Sequence, residues 1–323
     1  MEKIVKPNAE NFLANTRPHL TQLQVALEQR LKLDSNQPAL WFRLADVCRG
    51  LGDYGAAARC YEQALAGDYE PELSSYLLQL MRPGVDLHAL EYPYTDYLPA
   101  PFIQADNLLS TCELAAVWRF FDDNSEGLVE SGVGALDNQR VNHDVRKSRL
   151  LQGSLMKPIR SMFTRRLMPV LEQAYRQFGI VPPENQSVAL QMTSHVDGEF
   201  YGVHTDSGEQ YPRLLSYVYY FHSEPRLFSG GELHLYDSLN KFRPARENEK
   251  EKDKSAYRLQ YTSIEPRHNS LVVFPSEYYH QVCAVRMSSS DRRYGRNTLN
   301  GWHVDRDAAK LIMESIKGEI SKQ

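Results

Sequence analysis

Cysteine is scarce: the four present, Cys48, Cys60, Cys112 and Cys283, lie far apart with no Cys-x-x-Cys pair. That spacing argues against a disulfide framework and a thiolate zinc site, so any metal would be held by histidine and carboxylate. No stretch approaches the roughly 20 apolar residues of a membrane helix. The opening Met1-Glu2-Lys3-Ile4-Val5-Lys6-Pro7 lacks the apolar run and cleavage site of a secretory signal. No glycine-rich phosphate-loop pattern surrounds Gly230-Gly231, which reads as a tight connection. Nor is there an excess of one charge: 41 acidic residues stand against 37 basic ones, net −4, giving no general attraction for a polyanion. The expectation is a cytoplasmic protein without nucleic-acid or membrane partners. What is present is 323 residues, 42% of them apolar, enough for one large domain or two modest ones.

The first third reads as helical. In PALWFRLADVCRGLGDYGAAARCYEQAL, apolar or small residues recur at helical spacing through Trp41, Leu44, Ala45 and Cys48, then Ala57, Tyr61, Ala64 and Leu65. Gly52-Asp53 interrupts them, predicting two amphipathic helices hinged at Gly52. This stretch resembles one tetratricopeptide repeat, with Trp41, Leu44, Ala45, Gly52, Tyr54, Ala57, Tyr61 and Ala64 on the consensus positions. Further helices are expected over Leu20–Leu33 and Glu70–Met81. So short an array should pack on the rest of the chain as a structural cap, the alternative being a peptide-binding groove; Trp41 is expected in the core. Pro83-Gly84 and the Tyr/Pro-rich run Glu91–Pro101 read as a linker.

Beyond the linker come a helix at about Ser110–Asp122, an irregular stretch through Val145–Ser148, and a long amphipathic helix at about Ser154–Phe178. Short β-branched and aromatic runs follow at Ser187–Ser194, Leu214–His222, Gly231–Tyr236, Leu259–Ile264, Ser270–Phe274, Gln281–Val285 and Asn297–Val304. So many short strands predict a sandwich, jelly roll or barrel. The mixed-charge run Lys241–Arg258 reads as a solvated insertion between strands, or as a lid over the site mouth.

Two histidines and one carboxylate can hold iron(II) facially, and a His-x-Asp on a strand supplies two ligands from alternate positions. The tripeptide occurs three times: His195-Val196-Asp197, His204-Thr205-Asp206 and His303-Val304-Asp305. Asp197-Gly198 marks a turn that separates the first pair, and no later histidine can complete a triad with the third. His204 and Asp206 have two downstream candidates. His280 precedes the returning strand Gln281-Val282, whereas His268 lies in the turn Pro266–Asn269.

From here the chain resembles the prolyl-4-hydroxylase-like branch of the iron(II)/2-oxoglutarate-dependent dioxygenases. The matching residues are Gly198, Tyr201, His204 and Asp206 in GEFYGVHTD; Arg213 with Tyr219-Tyr220 in RLLSYVYYF; and Gly230-Gly231-Glu232-Leu233 in SGGEL. Phe274-Pro275, His280-Gln281-Val282, then Arg296 and Trp302 in RNTLNGW complete the set. The resemblance spans about Val188 to Asp305, with weaker similarity in VRKSRLL (Val145–Leu151).

It implies an α+β chain in which a double-stranded β-helix, or jelly roll, with supporting helices follows a small TPR-like α-helical domain. The expected organisation is a helical segment over 1–90, a linker over 91–105, a dioxygenase domain over 106–310 with its core at 186–307, and a helical tail over 311–323. By the same resemblance His204, Asp206 and His280 would hold iron(II), and Arg296 would bind the distal carboxylate of 2-oxoglutarate with Tyr220, while Trp302 would line the pocket. An always-charged bidentate fork suits a carboxylate, and Arg296, Thr298, Asn300 and Trp302 alternate along one strand toward one side. Arg286, Arg292 and Arg293 remain alternative anchors. His195 stands where relatives have a tyrosine touching the co-substrate; it either replaces that contact or ends a strand.

The implied activity is hydroxylation of an unactivated C–H bond with release of succinate and carbon dioxide, ascorbate being a further cofactor of the family. A prolyl or similar residue of a peptide or protein is the leading substrate, a free amino acid or small metabolite the alternative. A non-catalytic scaffold, with the TPR-like segment as an interaction module, is the third reading.

Overall fold

The computed structural model describes residues 17–82, 97–98, 100–133, 140–207, 213–239 and 261–310. The expected insertion at 241–258, the helical tail at 311–323 and most of the linker lie outside them. The helices are α1 (Arg17–Leu33), α2 (Pro38–Leu51), α3 (Tyr54–Ala66), α4 (Pro71–Leu80), α5 (Thr111–Asn124) and α6 (Lys157–Phe178). Among the described residues no helix is long and apolar enough to cross a membrane. The strands used below are β1 (Ile103–Asp106), β2 (Val129–Glu130), β3 (Arg146–Lys147), β4 (Arg149–Leu151), β5 (Gln186–His195), β6 (Phe200–His204) and β7 (Arg213–Phe221). They continue with β8 (Leu233–Tyr236), β9 (Tyr261–Ile264), β10 (Ser270–Pro275), β11 (His280–Val282) and β12 (Arg296–Asp305).

Contacts divide the chain into two compact units. One joins residues 1–100 to 234–264, and so holds α1 to α4 together with β9 and nearly all of β8. Pro38 opens α2, and Gly52, at φ +81°, closes it in the left-handed conformation, after which the Asp53 carboxylate accepts from the Ala56 N–H to cap α3. Leu44, Ala45, Ala57, Tyr61 and Ala64 are buried as the periodicity requires, but Trp41 is only half-buried and donates its indole N–H to the Ser35 carbonyl. The fully buried Arg49 forks onto Asp237 at 2.8 and 2.6 Å, while Tyr61 donates to Asp46 at 2.6 Å.

The other unit, 101–233 with 265–323, is built on a seven-stranded antiparallel sheet in the order β1-β10-β7-β12-β5-β4-β2. The central β12 pairs along its length with β5, from Arg296 opposite His195 to Asp305 opposite Gln186, and on its other edge with β7. Alternation sorts the faces. Tyr217, Tyr219, Phe221, Leu299 and His303 point to the side covered by helices, where Phe163 of α6 packs on Tyr217 and Tyr219, and Trp118 and Phe121 of α5 meet Phe221. Tyr175 of α6 bonds His303 Nδ1 at 2.6 Å, so this His-x-Asp serves packing. Ser216, Tyr220, Thr298 and Trp302 share the opposite face with Arg296 and His195. A second layer of the unit runs β11-β6-β3. The strand expected over 281–285 is broken: β11 stops at Val282, and pairing resumes with Val285 opposite Gly230.

Candidate functional site

His204 ends β6 and pairs directly with His280 at the start of β11. The register then slips, so that three steps along β6 to Tyr201 match two along β11 to Val282. Such a bulge turns Tyr201 and His204 to one side, where their rings stack at 3.6 Å. Asp206 does not share the strand with His204, as an alternating His-x-Asp predicts; it lies in the bend beyond. There its N–H donates to the Ser276 carbonyl at 3.1 Å and its Oδ2 accepts from Ser216 Oγ at 2.7 Å.

The nitrogen and oxygen ligand atoms of His204, Asp206 and His280 all lie within 4.8 Å of one another, the one such group among the described residues. His280 Nε2 is 3.3 Å from Asp206 Oδ2, and His204 Nε2 is 3.8 Å from Oδ1. Each Nδ1 faces a backbone carbonyl, Gly202 at 2.8 Å for His204 and Tyr278 at 3.0 Å for His280. A carbonyl only accepts, so each Nδ1 carries the hydrogen and each Nε2 turns its lone pair inward. Burial, then the charge of His280, lowers His204 to about 3. Burial works against the Asp206 carboxylate, but His280, His204 and Ser216 together hold it well below its ordinary value. Two imidazole nitrogens and a carboxylate that converge on one point are the donor set that fits iron(II).

Across the inner face of the sheet, Arg296 is 2% exposed, forms no ion pair with any described residue, and spends its Nε on the Gly231 carbonyl at 2.7 Å. Its Nη2 and the fully buried Tyr220 hydroxyl beside it lack a well-formed hydrogen bond, as do both ring nitrogens of His195. Burial lowers the proton affinity of Arg296 and holds that of His195 well below its ordinary value, and Arg296, Arg146 and Arg292 depress His195 further, so that it is neutral. A buried, unpaired guanidinium beside an orphaned hydroxyl fits an incoming carboxylate such as that of 2-oxoglutarate. Thr298 faces the same side with its hydroxyl already committed to Thr193 and Asn300. Half-buried Trp302 carries the Arg213 guanidinium 3.7 Å above its ring.

The alternative anchors are otherwise engaged or exposed. Arg292 forks onto Glu199 at 2.9 and 2.6 Å, Arg293 pairs with Asp122, and Arg286 is exposed. His268 accepts from the His222 N–H. Two participants went unread in the sequence: Ser216, a buried hydroxyl in the otherwise apolar run Leu214–Phe221, and Arg146, whose guanidinium lies 4.4 Å over the Tyr201 ring.

Residues 190–304 match the family model of the 2OG-Fe(II) oxygenase superfamily. An uncharacterized PKHD-type hydroxylase of Synechocystis sp. is 30% identical over 208 residues, a match that covers 64% of this chain and 64% of that relative. Among solved structures, a Trichoplax adhaerens prolyl hydroxylase, in complex with a peptide fragment of the hypoxia inducible factor oxygen degradation domain, is 17% identical. It covers 65% of this chain and 86% of its own at a TM-score of 0.46. A Pseudomonas putida prolyl-4-hydroxylase is likewise 17% identical, over 64% of this chain and 94% of its own, with a TM-score of 0.41. The stretch 190–304, which contains every residue of the triad as well as Arg296, is the part of the chain that matches the 2OG-Fe(II) oxygenase superfamily, and its donor set fits the iron(II) and 2-oxoglutarate which that family implies.

Proposed function

We propose that this chain is an iron(II)- and 2-oxoglutarate-dependent dioxygenase that hydroxylates an unactivated C–H bond of a prolyl or similar residue in a peptide or protein. The observation that carries this reading is the convergence of His204 Nε2, His280 Nε2 and the Asp206 carboxylate, with a buried arginine that has no ion-pair partner among the described residues on the inner face of the large sheet. When bound, iron(II) and 2-oxoglutarate supply the oxidising power, and succinate and carbon dioxide leave with the hydroxylated product.

The protein's own contribution is placement. His204, Asp206 and His280 would hold the metal through two imidazole nitrogens and one carboxylate. Ser216 fixes the carboxylate, and the Gly202 and Tyr278 carbonyls fix the imidazole tautomers. Arg296 takes the distal carboxylate of 2-oxoglutarate with Tyr220, and the neutral His195 offers one nitrogen as donor or acceptor beside them. Trp302 and Thr298 stand on the same sheet face as Arg296. The α2–α3 hairpin is read as a TPR-like element, supported by Gly52, Tyr54, Ala57, Tyr61 and Ala64 on the repeat's positions.

Anaerobic titration of the purified full chain with iron(II) and 2-oxoglutarate tests the proposal. A visible charge-transfer band that needs both additions, and disappears in Asp206→Ala, is expected; folded protein without the band would sink the assignment.

A further inference from the structure

One cation near the metal ligands is left unused by this chemistry. Arg146 is only 9% exposed, its guanidinium covers the Tyr201 ring at 4.4 Å, and that ring stacks on His204. Its Nε donates to Ser148 Oγ at 2.9 Å, and Ser148 in turn donates to Ser131 at 2.8 Å, so the head group is held in place. No described carboxylate forms an ion pair with it. The carboxylate whose charge it feels is Asp206, which the metal claims. A buried guanidinium without a counter-ion is costly, and costlier still beside a divalent cation.

Arg146 opens onto a cavity of about 310 Å³ whose wall also carries Lys147, Arg149 and Arg292 against two carboxylates, Glu130 and Glu199. Glu199 is already committed to Arg292. The wall therefore presents unspent positive charge within two side-chain contacts of the iron ligands.

We propose that this cavity is the substrate subsite and that Arg146 receives a carboxylate of the substrate, so that the enzyme acts on acidic substrates whose anionic group lies within a residue of the oxidised carbon. The inference deepens the dioxygenase reading and rests on it for the meaning of the cavity. The carboxylate has two sources: an Asp or Glu side chain next to the target residue of a peptide, or the α-carboxylate of a free amino acid.

The test is calorimetric binding to metal-free full-length protein, which needs neither iron nor turnover. The probes are Ac-Ala-Pro-Asp-Ala-amide against its Asn counterpart, and L-proline against L-prolinamide, with wild type and the Arg146→Gln and Arg146→Lys variants. At least one acidic probe should bind 10-fold or more tightly than its neutral counterpart. The preference should vanish in R146Q and be partly restored in R146K, the melting temperature of each variant reporting its fold. Preference confined to the peptide pair assigns an acidic flanking residue; preference confined to proline assigns a free amino acid. No preference in either pair, no binding by any probe, or a preference that survives R146Q overturns the proposal. A carboxylate preference without the iron-dependent absorption band would leave the subsite standing and remove the dioxygenase reading instead.

Discussion

Ser216 Oγ donates to Asp206 Oδ2 at 2.7 Å, so a hydroxyl on the central region of the large sheet fixes the carboxylate of the bend after β6. Ser276 lies 2.9 Å from the same hydroxyl and its carbonyl receives the Asp206 N–H, so the carboxylate is held from both ends. Ser216→Ala should keep the fold and lower iron(II) affinity by about 10- to 100-fold, the usual effect of deleting a group that orients a ligand. Anaerobic iron titration checks it, and an affinity equal to wild type would show that Asp206 needs no such support.

Arg296→Lys keeps the charge but loses the planar fork. The KM for 2-oxoglutarate should rise at least 10-fold, in keeping with about 1.5–3 kcal/mol for a charged hydrogen bond, while iron affinity is unchanged. Arg292→Ala should leave the KM for 2-oxoglutarate within about two-fold, because Arg292 serves Glu199 and Ser194. The reverse pattern would transfer the anchor to Arg292.

Gly231 has φ +71°, and a Cβ there would meet Arg296 Cδ at 2.7 Å. Gly231→Ala should cost about 1–2 kcal/mol from the left-handed backbone alone and push the guanidinium off its station. The expected result is a lower melting temperature together with weaker 2-oxoglutarate binding; a loss of stability with unchanged co-substrate affinity would mean that Arg296 tolerates displacement.

Asp46, in the helical unit, has its carboxyl raised to about 6 by burial, against the pull of Arg49 and Tyr61. The folded chain thus keeps this proton to higher pH than the unfolded chain, whose group titrates near 3.8. The stabilisation is complete below about pH 4 and lost as pH rises through about 6. Asp46→Asn removes the titration, retains an acceptor for Tyr61, and leaves Arg49 its fork on Asp237. Its melting temperature relative to wild type should climb between pH 4 and pH 8, by the equivalent of up to about 3 kcal/mol. A difference that stays flat with pH would refute the shift.

Much of this was legible in the sequence because strands and helices leave local periods. The runs at 187–194 and 297–304 alternate, and the structure makes them adjacent strands of one sheet, with Arg296, Thr298 and Trp302 on a common face. The helical hairpin showed itself through Gly52 and the spacing of Ala57, Tyr61 and Ala64. His204, Asp206 and His280 could be picked out by their place relative to turns. What stayed hidden depends on register between distant segments. Nothing local to Ser216 says that it will stand beside Asp206, and nothing in Val145–Ser148 says that Arg146 will land on Tyr201. The bulge between β6 and β11 is likewise a property of the pair rather than of either strand. Trp41 lies on the same stripe as Leu44, Ala45 and Cys48 but in the first turn of its helix, where it is half-buried and its indole N–H reaches back to the Ser35 carbonyl.

The pairing of His204 with His280 spans a long interval of chain, and Arg296 comes later still. A nascent polypeptide therefore owns no complete iron trap until its second histidine has emerged and β11 has zipped onto β6. The full ligand set therefore exists only once these distant segments have paired, so the site is a product of tertiary folding rather than of any one stretch of chain.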